Sequence, residues 1–280
     1  MKFYIGCYNQ AQIKYVPKYF VYSFRQLRKR KSKIKVPANL EWMMDSGAFQ
    51  EIFINGKYTY DVEEYQKAVL LHKPNVFVNM DFMCEPKNLK KTGLSIKEHQ
   101  HLSTEHQVKL KDFADDNDLC FMGTLQGWKP KEYLEHLDLL QERGILTEIT
   151  GVGSICRRAA TFKILDVLRV IRKATPSWVK LHGFGVKKSL LKYKETYDLL
   201  YSVDSMAWSY AGRKAGEKRV GIGGNLFGKP CLVDENKMCY RHTDDCANCE
   251  RYMLKWLNEV ENLITKNSKQ TQLKNYFGDK

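Results

Sequence analysis

Short runs of mostly apolar residues recur along the chain, each ending in Gly, Asp, Ser or Gln and each followed by a stretch of helical character. They are Phe3–Tyr8, Glu41–Asp45, Val76–Asp81, Cys120–Leu125, Thr147–Val152, Val179–Gly183, Leu199–Asp204 and, more weakly, Arg219–Gly223. Several are nearly continuous apolar strings, which suits parallel strands covered on both faces. The intervening stretches carry helix signals. Asp61 with Glu64, and Ser95 with Glu98, have capping-box spacing. Pro130 suits a first helical turn, and Gly144 follows the end of a Lys131–Arg143 helix. Ala159–Ala174 places Leu165, Leu168 and Ile171 on one face. Strands alternating with helices in this way predict an α/β fold, a (β/α)8 barrel of the TIM type. A doubly wound open sheet is the second choice, and no Gly-rich phosphate fingerprint supports it.

No internal repeat or low-complexity linker divides the chain. Residues 1–265 therefore read as a single barrel domain that includes a cysteine-rich segment at 231–249, with a polar tail over 266–280. In a barrel, strand ends converge on one mouth. The polar residues that close the predicted strands are Asp45, Asp81, Gln126, the stretch Gly151 to Ser154, His182 and Asp204. Residues distant in sequence are thus expected to share one pocket.

Composition narrows the partners. The chain has 280 residues, 43% of them hydrophobic, enough for a full core and against disorder. Lys and Arg number 46 against 32 Asp and Glu, a formal net charge of +14. That surplus fits a polyanionic partner and fits a Lys-rich solvated surface equally well. Seven basic residues crowd Arg25 to Lys35, as a nucleic-acid contact or a solvated helix end. The chain starts without a secretory h-region and has no uninterrupted apolar run of membrane-spanning length, so a soluble, cytoplasmic protein is expected (in the host cytoplasm if phage-encoded).

Four of the eight cysteines are scattered, and four fall within 231–249. The spacing Cys239-x2-His242-x3-Cys246-x2-Cys249 predicts a closed structural zinc site in a reducing compartment, with Cys231 as an alternative to His242. Four protein ligands leave no position for a reactive water.

Met44-Asp45-Ser46-Gly47-Ala48-Phe49-Gln50 resembles the Asp-Ser-Gly-Gly-aromatic-Gln signature of the tRNA-guanine transglycosylases, with Ala48 in place of the second glycine. Further matches follow in family order. Asn79-Met80-Asp81 looks like the base-recognising Asp segment, Gln126-Gly127 like the Gln-Gly pair, and Gly151-Val152-Gly153 like the turn whose backbone meets the base. Val203-Asp204 with downstream Arg213 resembles the nucleophile segment. The resemblance covers roughly residues 40–250. Gly151 to Arg158, Leu181 to Gly185 and Asp204-Ser205-Met206-Ala207-Trp208 look like the DNA-modifying branch, the 7-deazaguanine-in-DNA transglycosylases. The Pro-Thr-Arg stretch usual in the tRNA enzymes is replaced by Trp208-Ser209-Tyr210.

The resemblance implies exchange of guanine in DNA for a free 7-deazaguanine base such as preQ0 (7-cyano-7-deazaguanine). Base exchange at C1′ without an energy source needs a nucleophile that holds the sugar between bases, a role suited to a carboxylate. Asp204 is expected as that nucleophile and Asp45 as the proton carrier. A lone strand-end Asp is most often a cap or loop anchor; two in matched motifs favour catalysis. Asp81 is expected to accept from the N1–H and 2-amino donors of the base, Gln126 to donate to its carbonyl, and Gly151, Val152 and Gly153 to offer backbone groups. Ser46 is expected to orient the base. Phe49 and His182 either sandwich it or fill core and loop. Arg213 either meets a phosphate or sugar or is a surface residue. The same chemistry on tRNA, a non-catalytic nucleic-acid-binding subunit and a zinc hydrolase are the competing readings; the paired Asp45 and Asp204 argue against the second, and the filled zinc site against the third.

Overall fold

A computed structural model describes residues 1–158, 160–221, 225–234, 236–239 and 246–277, with side chains through residue 267. Eight parallel strands close into a barrel in sequence order. They are β1 (Lys2–Cys7), β2 (Tyr19–Ser23), β3 (Glu41–Asp45), β4 (Val76–Val78), β5 (Phe121–Leu125), β6 (Ile149–Val152), β7 (Lys180–Gly183) and β8 (Ser202–Ser205). The seam closes where β1 pairs with β8, Tyr4 opposite Asp204.

The (β/α)8 expectation is met, with two corrections to the strand list. β2, over Tyr19–Ser23, was not among the predicted strands. Of the weak strand expected at Arg219–Gly223, Arg219 and Val220 instead form the last turn of a helix capped by Gly221, and residues 222 and 223 lie outside the described residues. The eighth strand is therefore β2. Leu199 also ends a short helix rather than opening β8.

Helices connect the strands. The short ones are α1 (Gln10–Ile13), α2 (Phe24–Leu27) and α3 (Ala48–Gln50), the last continuing into a π-helical turn at Glu51–Asn55. α4 (Val62–His72), α5 (Pro86–Thr92), α6 (Ile96–Asp116), α7 (Pro130–Glu142) and α8 (Thr161–Ala174) follow. The chain then forms α9 (Thr196–Leu199), α10 (Ala207–Val220) and α11 (Glu250–Phe277), the last running through the expected polar tail. Asp61 caps α4 by accepting from the Glu64 N–H, and Ser95 and Glu98 form the reciprocal box at α6. Among the described residues no helix is long and apolar enough to cross a membrane.

Alternation along the strands builds two cores. Tyr4, Val21, Met43, Val76, Val78 and Met122 point inward and pack together inside the barrel. Their neighbours Phe3, Ile5, Phe20, Tyr22, Trp42 and Met44 face outward and join the helices in the larger cluster. At the N-terminal end of the barrel, the Lys2 ammonium donates to Glu41 at 2.8 Å and the Tyr4 hydroxyl donates to the same carboxylate, so a polar plug floors the barrel.

Trp208, fully buried near the start of α10, donates its indole N–H to the Gly6 carbonyl at 2.8 Å and ties α10 to the strand across the seam. Trp208→Ala is expected to cost about 3–5 kcal/mol, the range for deleting a buried aromatic. Urea unfolding measures this; a loss below about 1 kcal/mol would count against the packing described.

Candidate active site

At the C-terminal ends of the strands lies a cavity of about 320 Å³. Its inner wall includes the barrel residues Val21, Met43 and Val78, and its rim carries Asp45, Asp81, Glu85 and Asp204. Four carboxyl groups from β3, the loop after β4, and β8 thus share one opening, and among the described residues Arg157 is the only Arg or Lys on the wall.

Asp45 closes β3. The next turn places Gly47 at φ 85°, a left-handed conformation that suits glycine, and its N–H donates to Asp45 Oδ2 at 2.9 Å. Burial and the charge of Asp204 push the Asp45 carboxyl up to about 6, while the Gly47 N–H and the Ser23 hydroxyl oppose the rise. Asp204 is held from behind. Its Oδ1 accepts from the Gly185 N–H at 3.0 Å and lies 3.2 Å from His182 Nε2, whose Nδ1 is 2.8 Å from the Ser202 hydroxyl. His182 is fully buried and packs edge-on against Phe184, which lines the cavity in its place.

Asp81 is buried, and burial followed by the charge of Asp45 raises its carboxyl to about 7. The Gln126 amide N–H donates to Asp81 Oδ2, and Gln126 Oε1 accepts from the Ser154 hydroxyl at 2.8 Å. Gln126 stands behind Asp81, off the cavity wall, and orients it. Gly153 makes this possible, because a Cβ there would come within 2.0 Å of the Gln126 amide nitrogen. Gly153 and Ser154 line the cavity, whereas Val152 is core and Gly151 lies beneath the Phe184 ring.

Ser46 is buried and donates to the Asn79 carbonyl at 2.9 Å, joining the segments that carry Asp45 and Asp81. Phe49 lines the cavity with the Arg157 guanidinium 4.4 Å from its ring centroid. Arg213 lies away from the cavity, exposed on α10 and 5.3 Å from the Tyr210 ring centroid.

The motifs did not point to the supports. Tyr58, Tyr60 and Tyr65 donate to the carbonyls of Asp81, Ser46 and both Met44 and Val78, respectively. α6 turns a polar face to the barrel. Its Ser103 hydroxyl accepts from the Phe82 N–H at 2.8 Å, and its Gln100 donates to the Gln126 carbonyl at 2.8 Å. Glu85, buried on the cavity wall with its carboxyl raised by burial, also went unread; the only sequence signal is its place four residues after Asp81.

Of the expected zinc ligands, Cys239, Cys246 and Cys249 are buried, as is Cys231, and His242 lies outside the described residues. Among the described residues no three His, Cys, Asp or Glu side chains stand as a formed metal site.

Residues 1–224 match the family described as deoxypurine in DNA protein A (DpdA). The chain belongs to this family. Membership in DpdA agrees with the resemblance to the DNA-modifying transglycosylase branch, and the match spans every cavity residue named above while ending before the cysteine-rich segment. No protein among the curated sequences matches the chain.

Raised carboxyls make a testable link to stability. Asp45 and Asp81 bind protons in the folded state at pH values where an unfolded carboxyl, near 4, has lost them. The folded protein therefore holds more protons between about pH 4 and pH 7, and stability falls as pH rises through that window. Thermal melts across it are expected to decline with pH, and Asp81→Asn to flatten the decline. An identical slope in the variant would exclude Asp81 as a contributor.

Proposed function

We propose that the protein is a DNA guanine transglycosylase, a pentosyl-transferring enzyme that replaces guanine in DNA by a preQ0-like 7-deazaguanine through a covalent bond between Asp204 and the sugar. The observation that carries this reading is the meeting of Asp45 and Asp204 at one cavity, where the charge of Asp204 helps hold a proton on Asp45. DNA as the acceptor follows from the family.

In the first half-reaction a carboxylate oxygen of Asp204 bonds to C1′ as the bond from C1′ to guanine breaks. The bonding pair leaves with guanine, which takes the Asp45 proton. In the second, the incoming base gives its N–H proton to Asp45 and attacks C1′, releasing the Asp204 carboxylate. Atoms and charge balance over the cycle, and no external energy source is needed. His182 and the Gly185 N–H fix one oxygen of Asp204 and leave the other for the sugar. His182 is accordingly a positioning residue in this scheme rather than a stacking one. Fixed negative charge at Asp204 also favours the oxocarbenium-like transition state.

For base recognition, Asp81 faces the N1–H and 2-amino donors. A carboxyl raised to about 7 by burial returns to its ionised form when such donors replace the missing water. Gln126 keeps Asp81 aimed, the backbone at Gly153 meets the base edge, and Phe49 and Phe184 supply aromatic walls.

Asp204→Asn is expected to abolish a covalent protein–DNA adduct trapped in denaturing gels, while Asp45→Asn permits an adduct but slows turnover by at least about 100-fold, the scale of a general acid–base contribution. An undiminished adduct in Asp204→Asn would remove it as nucleophile.

A structural zinc belongs to the same proposal. Cys231 and Cys239 flank a short antiparallel bridge between Pro230 and Met238, and Cys246 and Cys249 precede α11. The Cys246 thiol is raised by Cys249 and by burial, then by Cys239 and Cys231, so the four sulfurs influence one another in a buried setting. Cys239, Cys246 and Cys249 would be joined by His242, which lies outside the described residues, or by Cys231, and bound zinc would supply cross-linking rather than catalysis. Elemental analysis of the purified protein is expected to give about one zinc per chain, reduced in Cys246→Ser. Folded protein without zinc would end this assignment.

A further inference from the structure

A second, larger cavity of about 680 Å³ lies at the opposite end of the barrel from the carboxyls. Trp42, near the start of β3, is on its wall, whereas Asp45 ends that strand about 10 Å further along. Lys14, Lys33, Lys35 and Lys73 line it, and no acidic residue does. Among the described residues none of these four lysines pairs with a carboxylate, and all four are exposed.

One buried group reinforces the charge. His72, 1% exposed, belongs to the groove wall, and its Nδ1 accepts from the Ile34 N–H at 3.2 Å. Its Nε2 therefore carries the hydrogen of the neutral ring, yet this atom is buried without a partner. Four exposed ammonium groups without a carboxylate partner, over a wall that also holds the buried imidazole N–H, give the groove a positive lining suited to an anionic ligand.

Topology joins this groove to the mouth. β2 ends at Ser23, on the carboxyl-bearing cavity, and β3 begins at Glu41 on the opposite face. Residues 24–40 must descend the flank of the barrel, and they carry the basic run from Arg25 to Lys35. Arg25 and Arg28 are engaged with Glu51 and Glu64, and Arg30 donates to Gln10 at 2.6 Å. The lysines lower down are left to neutralise something outside the fold.

We propose that this flank and the basal groove bind the phosphodiester backbone of the DNA whose base is exchanged at the mouth. The inference rests on the DNA reading above. The groove and Asp45 lie at opposite ends of the barrel, so DNA that reaches both extends several base pairs beyond the target.

The test compares wild-type protein, a set with Lys14, Lys33, Lys35 and Lys73 each changed to Gln, and the same set changed to Arg. Fluorescence anisotropy with a labelled duplex of about 30 base pairs and a single strand of equal length reads affinity against salt, where each lost duplex contact lowers the slope by about 0.9. The Gln set is expected to weaken duplex binding at least about tenfold near 0.15 M salt and to flatten the slope by about 3. The Arg set is expected to bind as wild type, and an oligonucleotide of about six nucleotides is expected not to distinguish the three proteins. Lys33→Gln with Lys35→Gln serves if the full set fails to fold, with about half the slope change. Preference for the single strand over the duplex would overturn the proposal, which requires base-paired DNA beyond the target. Wild-type affinity and slope in the Gln variants would overturn the proposal while leaving base exchange intact. Absence of DNA binding and of labelled-base incorporation by the wild-type protein would instead overturn the DNA reading, and this inference with it.

Discussion

Two carboxyl groups that repel one another are kept together at the rim of one cavity, and the architecture around them serves that arrangement. Asp45 and Asp204 come from strands three apart in the order of the barrel through its closing seam, so only a closed sheet sets them face to face. Burial and repulsion raise one of them, and specific donors hold the other. Asp204 has a backbone N–H and a histidine behind it. Asp45 has one backbone N–H and the Ser23 hydroxyl against a larger desolvation cost. A carboxyl raised by burial thus stands beside one held by donors within a single opening.

Rigidity around that pair comes from polar contacts more than from the apolar interior. Strand ends at a barrel mouth lose ladder partners, and their carbonyl and N–H groups need others. Tyr58, Tyr60 and Tyr65 satisfy four such carbonyls at the ends of β3 and β4. The polar face of α6 and the neutral His136, whose Nδ1 accepts from the Gln126 N–H at 2.9 Å, do the same for the ends of β4 and β5. Asp81 is aimed through this scaffold, since Gln126 reaches it only because Gly153 leaves space.

The barrel was legible in the sequence because two-sided burial leaves continuous apolar strings, and the carboxyls because each stands where such a string stops. β2 escaped for the opposite reason. Tyr19–Ser23 does end in a serine, but it runs straight into Phe24 and Arg25 with no break in the pattern, and it sits among lysines and arginines. Arg219 and Val220 read as extended because Gly221 follows them, but that glycine, at φ 82°, terminates α10. His182 was correctly placed at a strand end, yet its depth depends on Phe184 folding over Gly151, a contact between neighbouring strands that no linear pattern records. Glu85 and the polar face of α6 were equally silent, since their roles arise only when loop and helix meet.

The plug formed by Lys2, Glu41 and Tyr4 carries a kinetic consequence. Among the described residues the barrel is floored beneath the cavity, which leaves the mouth as the way in and out. In the exchange proposed above, the departing purine and its replacement would both pass the opening that the DNA occupies. They would therefore pass by turns, the first base clearing the threshold before the second crosses it, while the sugar stays held.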